Sequence, residues 1–264
     1  MCTIGVVFEG EDIHTFKQCD LIPSTTFYEP SEKDGLVLLS REGGHMWAAV
    51  NRHGVAFVAA DSYTTTSAEY STTDEQVNAL FEAYERAAAK PTAAEAADCL
   101  ADFYTNMNGE GPFPAPDISM FAGWADAEKT QPQSILLEYM PNPYNRRPVR
   151  RIVRAEGTFV STNNFRLQPN SVAYPANHST YLRLGRAQQI LQQTPTREGV
   201  IALLRDQYYG ATELSICRQT DWPGVEFRTQ ATALFSCSPD GSVGLLYQIN
   251  GNPRSNPLRT YGVS

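Results

Sequence analysis

The chain opens Met1-Cys2-Thr3-Ile4-Gly5-Val6-Val7-Phe8, a mostly apolar run with a cysteine directly behind the initiator. The run reads as a strand, which puts Cys2 at the end of a sheet, beside the interior. Aminopeptidases remove an initiator methionine when the next side chain is small, and cysteine qualifies. The mature chain then begins with a residue carrying both a thiol and an α-amine. Reference pKa values are about 8.5 for the thiol and about 7.7–8.0 for the amine. Near neutral pH the unprotonated amine can take the thiol proton, so nucleophile and general base share one residue. A small second residue also occurs for translational reasons, so the rest of the chain must decide.

Strand-like runs continue through the first third. Leu36–Leu39, Met46–Val50 and Val55–Ala60 are short and apolar, broken at Gly43-Gly44 and at Asn51-Arg52-His53-Gly54, the pattern of hairpins. Two helices follow. Thr73 with Gln76 three residues on opens one that continues through Val77, Leu80, Phe81 and Tyr84. Pro91-Thr92 with Glu95 opens the other, through Cys99, Leu100, Phe103 and Tyr104. The Gly- and Pro-rich stretch Asn108–Asp117 reads as a loop. Strands resume at Ile118–Trp124, Ser134–Tyr139, Val149–Arg154 and Thr158–Thr162. Helical periodicity returns at Arg183–Leu191 and Val200–Tyr208, the latter with Thr194-Pro195 as cap and first-turn proline. Thr229–Ser236 and Val243–Ile249 close the chain as an antiparallel pair turned at Pro239-Asp240-Gly241. This order implies an α+β chain: two packed antiparallel sheets with helices outside, a four-layer αββα sandwich, in a single domain over residues 1–264.

Composition narrows the class. The 264 residues are 42% hydrophobic and 19% charged, with a net charge of -8, which suits neither a nucleic-acid backbone nor an anionic membrane surface. No stretch approaches the ~20 apolar residues of a membrane span. Glu9, Glu11 and Asp12 interrupt any signal-peptide order. Cys2, Cys19, Cys99, Cys217 and Cys237 form an odd set without a CxxC pair, as expected of a cytoplasmic protein. His14, His45, His53 and His178 show no metal spacing, and no phosphate-cradling glycine loop is present, so neither metal nor cofactor is expected.

Several segments, in order, resemble one family. Cys2-Thr3, the stretch Phe16-Lys17-Gln18-Cys19-Asp20-Leu21, the hairpin Val50–Val55 and Asp61 are followed by Trp124–Ala127 with Ile135–Tyr139, then Phe159-Val160-Ser161-Thr162-Asn163, then Leu182-Arg183-Leu184-Gly185-Arg186-Ala187. Together they resemble the cholylglycine hydrolase and penicillin V acylase group of N-terminal-nucleophile hydrolases, with the acyl-CoA:6-aminopenicillanic acid acyltransferases beside them. The resemblance implies the αββα fold and an enzyme that cleaves or transfers an acyl group at a linear amide through a thioester on Cys2. It implies that Asp20 orients the terminal amine, that the Asn163 amide donates to the oxyanion, and that Arg183 stabilises the thiolate. Lys17 stands where arginine is usual. There it keeps a positive charge without the bidentate geometry, or else snorkels to the surface. Asp61 stands where an asparagine is usual. A carboxylate repels an oxyanion, so either its backbone N–H serves or its side chain binds a cationic part of the substrate. The expected partner is a small-molecule N-acyl amide, with a homo-oligomer compatible. Two other readings compete. One is a glutaminase-type enzyme of the same fold, which normally begins Cys-Gly. The other is a binding protein that kept the sandwich and lost the chemistry.

Overall fold

The opening run pairs on both of its edges. In the computed structural model the described residues are 2–62, 73–107, 116–140, 148–168, 175–218 and 227–262; Met1 and the bulk of the 108–117 loop lie outside them. Strand β1 (Cys2–Glu9) lies between β2 (Asp12–Leu21) and β10 (Thr158–Ser161). Beyond β2 come β11 (Arg228–Cys237), β12 (Val243–Ile249) and β13 (Arg259–Gly262), completing a six-stranded antiparallel sheet. A seven-stranded antiparallel sheet runs in chain order. It comprises β3 (Ser31–Lys33), β4 (Leu36–Arg41), β5 (His45–Asn51), β6 (Ala56–Asp61), β7 (Asp117–Trp124), β8 (Pro132–Tyr139) and β9 (Val149–Arg154).

The sheets stack face to face. Helices α1 (Asp74–Ala88) and α2 (Ala93–Met107) cover the outer face of the seven-stranded sheet, and α3 (Ser179–Gln193) and α4 (Arg197–Leu204) cover the other. The molecule is the expected four-layer αββα sandwich. Strand periodicity sorts side chains between layers. Ala56, Val58 and Ala60 of β6 enter the inter-sheet core with Cys2, Ile4 and Val6 of β1, whereas Phe57 and Ala59 meet α1 and α2. Central strands buried on both faces read as continuous apolar runs. Each large aliphatic side chain so buried stabilises by about 1.5–3 kcal/mol.

Local signals act as the sequence predicts at several points. Thr73 Oγ1 accepts from Gln76 N at 3.3 Å and Gln76 Oε1 accepts from Thr73 N at 3.1 Å, closing the capping box of α1. Asn51 Oδ1 accepts from His53 N and Val55 N, and its Nδ2 donates to Ala88 O and Lys90 O, tying the hairpin to the end of α1. Gly54 takes a φ of 81°, which closes that turn.

Other expectations need correction. Strand β2, which the apolar runs do not mark, spans ten residues, and its Lys17, Gln18 and Asp20 are all buried. Asp117 begins β7 rather than closing a loop. The cap of α4 is Thr196, whose Oγ1 accepts from Gly199 N at 3.3 Å, while Thr194 instead ends α3. Helix α4 stops at Leu204, short of Tyr208, because Asp206 is drawn away, its carbonyl accepting from Cys217 N and its carboxylate pairing with Arg186. Strands β3 and β13 are short and mostly exposed, so they carry no apolar alternation to read. No helix among the described residues is long and apolar enough to cross a membrane.

Candidate active site

Cys2 begins the second strand of its sheet, directly opposite Cys19 in the β1–β2 register. Both side chains lie in the inter-sheet core, where a cavity of about 90 Å³ reaches them. Lys17, two residues from Cys19 on the same face of β2, lines that cavity, as do Trp47, Asp61 and Asp117. Lys17 is 5% exposed, which sets the snorkelling alternative aside. Its Nζ donates to Trp47 O at 3.1 Å and lies 5.7 Å from the centre of the Trp47 ring.

Cys2 is held through its backbone. Its N donates to Asn163 Oδ1 at 3.1 Å, and its carbonyl accepts from Arg183 Nη1 at 2.7 Å. The Nη2 of Arg183 donates to the same Asn163 Oδ1 at 2.8 Å, and Nη1 also reaches Thr3 Oγ1 at 3.0 Å. Arg183 is fully buried on α3, while Arg186, one turn on, is the partly exposed partner of Asp206. Two donors on Oδ1 fix the orientation of the Asn163 amide. Its Nδ2 donates to Asp61 O at 2.6 Å, which occupies one of its two hydrogens. Asn163 therefore faces the Cys2 nitrogen as an acceptor, a task the sequence reading did not assign it.

The loop carrying Asn163 is pinned from both sides. Asn163 N donates to Thr180 Oγ1 at 3.1 Å, and Thr162 Oγ1 donates to Thr180 O at 3.0 Å, at the first turn of α3. Downstream, the buried Glu138 of β8 accepts from Leu167 N at 2.7 Å and Gln168 N at 2.9 Å. Asn164 Oδ1 accepts from Thr180 Oγ1 and shares the single Thr162 hydroxyl hydrogen with Thr180 O, a supporting position.

Asp20 faces the α3–α4 side of its sheet and is fully buried. It accepts from Thr229 Oγ1 at 2.8 Å and pairs with Arg218 Nε at 3.3 Å. Arg218 is equally buried, and its Nη2 donates to Ser179 Oγ at 3.0 Å, the same oxygen that accepts Arg183 Nε at 3.1 Å. A chain of buried polar contacts thus runs from Asp20 through Arg218 and Ser179 to Arg183 and the Cys2 carbonyl. The sequence reading missed Arg218 and Ser179: neither stands in a periodic or motif-bearing stretch.

The electrostatics single out Cys2. Its thiol is lowered to about 6, chiefly by a hydrogen bond from the Cys19 thiol and further by the Lys17 charge; burial and the Asp61 charge oppose. Cys19 is pushed well above the ordinary range by the same hydrogen bond and by burial. Burial pushes Cys217 and Cys237 up to about 12. A thiolate is the nucleophilic form, so of these four Cys2 is the reactive one. A wider groove of about 690 Å³ beside α2, lined by residues such as Lys90, Asp98 and Phe103, lies away from these groups.

No model of a known protein family matches this chain. No curated protein matches it either. Among solved structures, a mutant of a conjugated bile acid hydrolase from Clostridium perfringens is similar to it at 12% sequence identity and a TM-score of 0.49, covering 99% of this chain and 96% of that one.

Proposed function

We propose that the mature chain is a cysteine-type N-terminal-nucleophile enzyme that hydrolyses a linear N-acyl amide, or transfers its acyl group, through a thioester on Cys2. The observation that carries this reading is the grip on the two ends of Cys2. Asn163 Oδ1 accepts from its nitrogen, Arg183 donates to its carbonyl, and the thiol, lowered to about 6, faces the cavity. Removal of Met1 turns that nitrogen into an α-amine already oriented by an acceptor. The amine then takes the thiol proton and Sγ attacks the amide carbon, forming the C–S bond. In this reading the oxyanion receives the second Nδ2 hydrogen of Asn163, whose first goes to Asp61 O, together with the backbone N–H of Asp61. Collapse breaks the C–N bond, the amine proton passes to the leaving nitrogen, and water or a second amine resolves the thioester.

The test is an acid-quenched incubation with a panel of N-acyl p-nitroanilides followed by intact mass. The expected result is a chain beginning at Cys2 that carries one acyl group, lost in Cys2→Ala. Turnover by a chain that retains Met1, or an adduct on another cysteine, overturns the assignment.

A further inference from the structure

Asp61 ends β6 and Asp117 begins β7, and the two are direct partners in the antiparallel register. Side chains so opposed project from the same face with Cβ atoms roughly 4.5–5.5 Å apart, and like charges there repel. Both line the cavity that holds Cys2. Asp117 is only 5% exposed. Its Oδ2 accepts from Tyr84 Oη at 2.9 Å and from the hydroxyls of Tyr104 and Ser119, three donors that fix the carboxylate. Its Oδ1 accepts no hydrogen bond from any described residue, and it is on a side chain that walls the cavity. Among the described residues no Lys, Arg or His forms an ion pair with either carboxylate. Lys17, in the same cavity, gives one of its three hydrogens to Trp47 O and sets its charge toward Cys2, and Arg41 lines the cavity from the half-buried end of β4. The rings of Phe81 and Tyr84 complete the wall, and aromatic faces attract organic cations.

We infer that Asp61 and Asp117 form a subsite for an alkylammonium group carried by the amide substrate. This inference rests on the thiol-amidase reading and names the substrate class for it. An ammonium has three N–H donors, which match Asp117 Oδ1 and the two oxygens of Asp61, and its charge removes the repulsion between the opposed carboxylates. It also offsets the Asp61 field that opposes the Cys2 thiolate, so a bound cation favours the reactive form of the nucleophile. A neutral isostere leaves Asp117 Oδ1 desolvated and without a donor, and a buried polar group left unsatisfied is what makes such a site selective.

Two matched substrate pairs test the subsite. 4-Aminobutanoyl against pentanoyl p-nitroanilide puts the charge on the acyl side. N-pentanoyl-1,4-diaminobutane against N-pentanoyl-pentylamine puts it on the amine side, with pentanoate release read by mass spectrometry. In at least one pair kcat/KM for the ammonium member should exceed that for the neutral member by about tenfold or more. Asp117→Asn and Asp61→Asn should each collapse that ratio toward one, mainly through KM. Asp61, being exposed, keeps the test readable if Asp117→Asn fails to fold. Preference for the neutral members, or a ratio unmoved in Asp61→Asn, with an acyl adduct still forming on Cys2, overturns the subsite and leaves the thiol-amidase reading standing. If no substrate acylates Cys2, that reading falls. Calorimetry with butylammonium chloride against 1-pentanol then decides the subsite: binding of the cation that is lost in Asp61→Asn supports it, and equal or absent binding overturns it.

Discussion

Replacing Asn163 by alanine removes an acceptor shared by Cys2 N and Arg183 Nη2 and a donor to Asp61 O. The bond to the arginine is charge-assisted, worth about 1.5–3 kcal/mol, and the other two are worth about 1 kcal/mol each. Not all of this is felt at the chemical step, because the Arg183 contact is made before and after attack. The orientation of the amine and the free Nδ2 hydrogen are lost in the transition state, which puts the barrier increase at roughly 3–4 kcal/mol. At 1.36 kcal/mol per tenfold, kcat should fall by about 10²–10³ with a smaller change in KM. Asn163→Asp separates the two halves of the side chain. It keeps the acceptor for Cys2 N but sets a carboxylate oxygen against Asp61 O, so it should not restore activity. The assay is steady-state amine release on any substrate that acylates Cys2, with Asn164→Ala as the comparison. Asn164 braces Thr162 and Thr180 and should lose stability more than turnover. A kcat within threefold of the parent in Asn163→Ala, or a large loss in Asn164→Ala alone, would remove Asn163 from the chemical step.

Three further outcomes follow from the same geometry. The thiolate is the active form and Cys2 is lowered to about 6, so kcat/KM should rise with pH through that value and fall again at alkaline pH, where the α-amine has lost the proton it gives to the leaving nitrogen; Lys17→Met removes a lowering charge and should move the acid limb upward by roughly one unit, read from the pH–rate profile. Arg218→Met strips a fully buried Asp20 of its ion pair and should cost about 3–5 kcal/mol in urea unfolding, whereas Ser179→Ala, which removes a hydroxyl between two arginines, should cost about 1–3 kcal/mol. Gly5→Ala would place a Cβ 2.4 Å from Phe16 Cζ and 2.7 Å from Phe159 O inside the strand that carries Cys2, and should lower stability by about 1–3 kcal/mol in the same measurement.

The layers were legible wherever a strand is buried on both faces or a helix begins with a local cap. Val55–Ala60 and Thr73–Gln76 are of that kind, because short-range chemistry decides them. Strand β2 was only half legible. One of its faces is filled by Gln18, which donates to Leu204 O and Thr229 Oγ1, and by Asp20, so polar pairing replaces the apolar alternation that marks a strand. In the site, Cys2, Asn163 and Arg183 came from ordered segments of a family pattern, and the structure brings the three together. Lys17 and Asp61 line the cavity with Cys2. Arg218 was out of reach because its partners Asp20 and Ser179 lie far off in sequence. Asp117 was hidden by the Gly- and Pro-rich stretch before it, which reads as loop up to the residue where the strand starts.

The groups that grip the Cys2 backbone stand 161 and 181 residues further along the chain. Cys19 and Lys17, which lower the thiol, stand on the neighbouring strand of the same hairpin, whereas the acceptor for the Cys2 nitrogen and the donor to its carbonyl come only with Asn163 and Arg183. Contacts of such sequence separation form slowly, because loop closure must be completed first. The growing chain therefore carries a Cys2 whose backbone is unheld until most of the sequence has been made. Orientation of the Cys2 backbone is thus a readout of completed folding, and a chain cut short before Asn163 would present that nitrogen and carbonyl with neither partner.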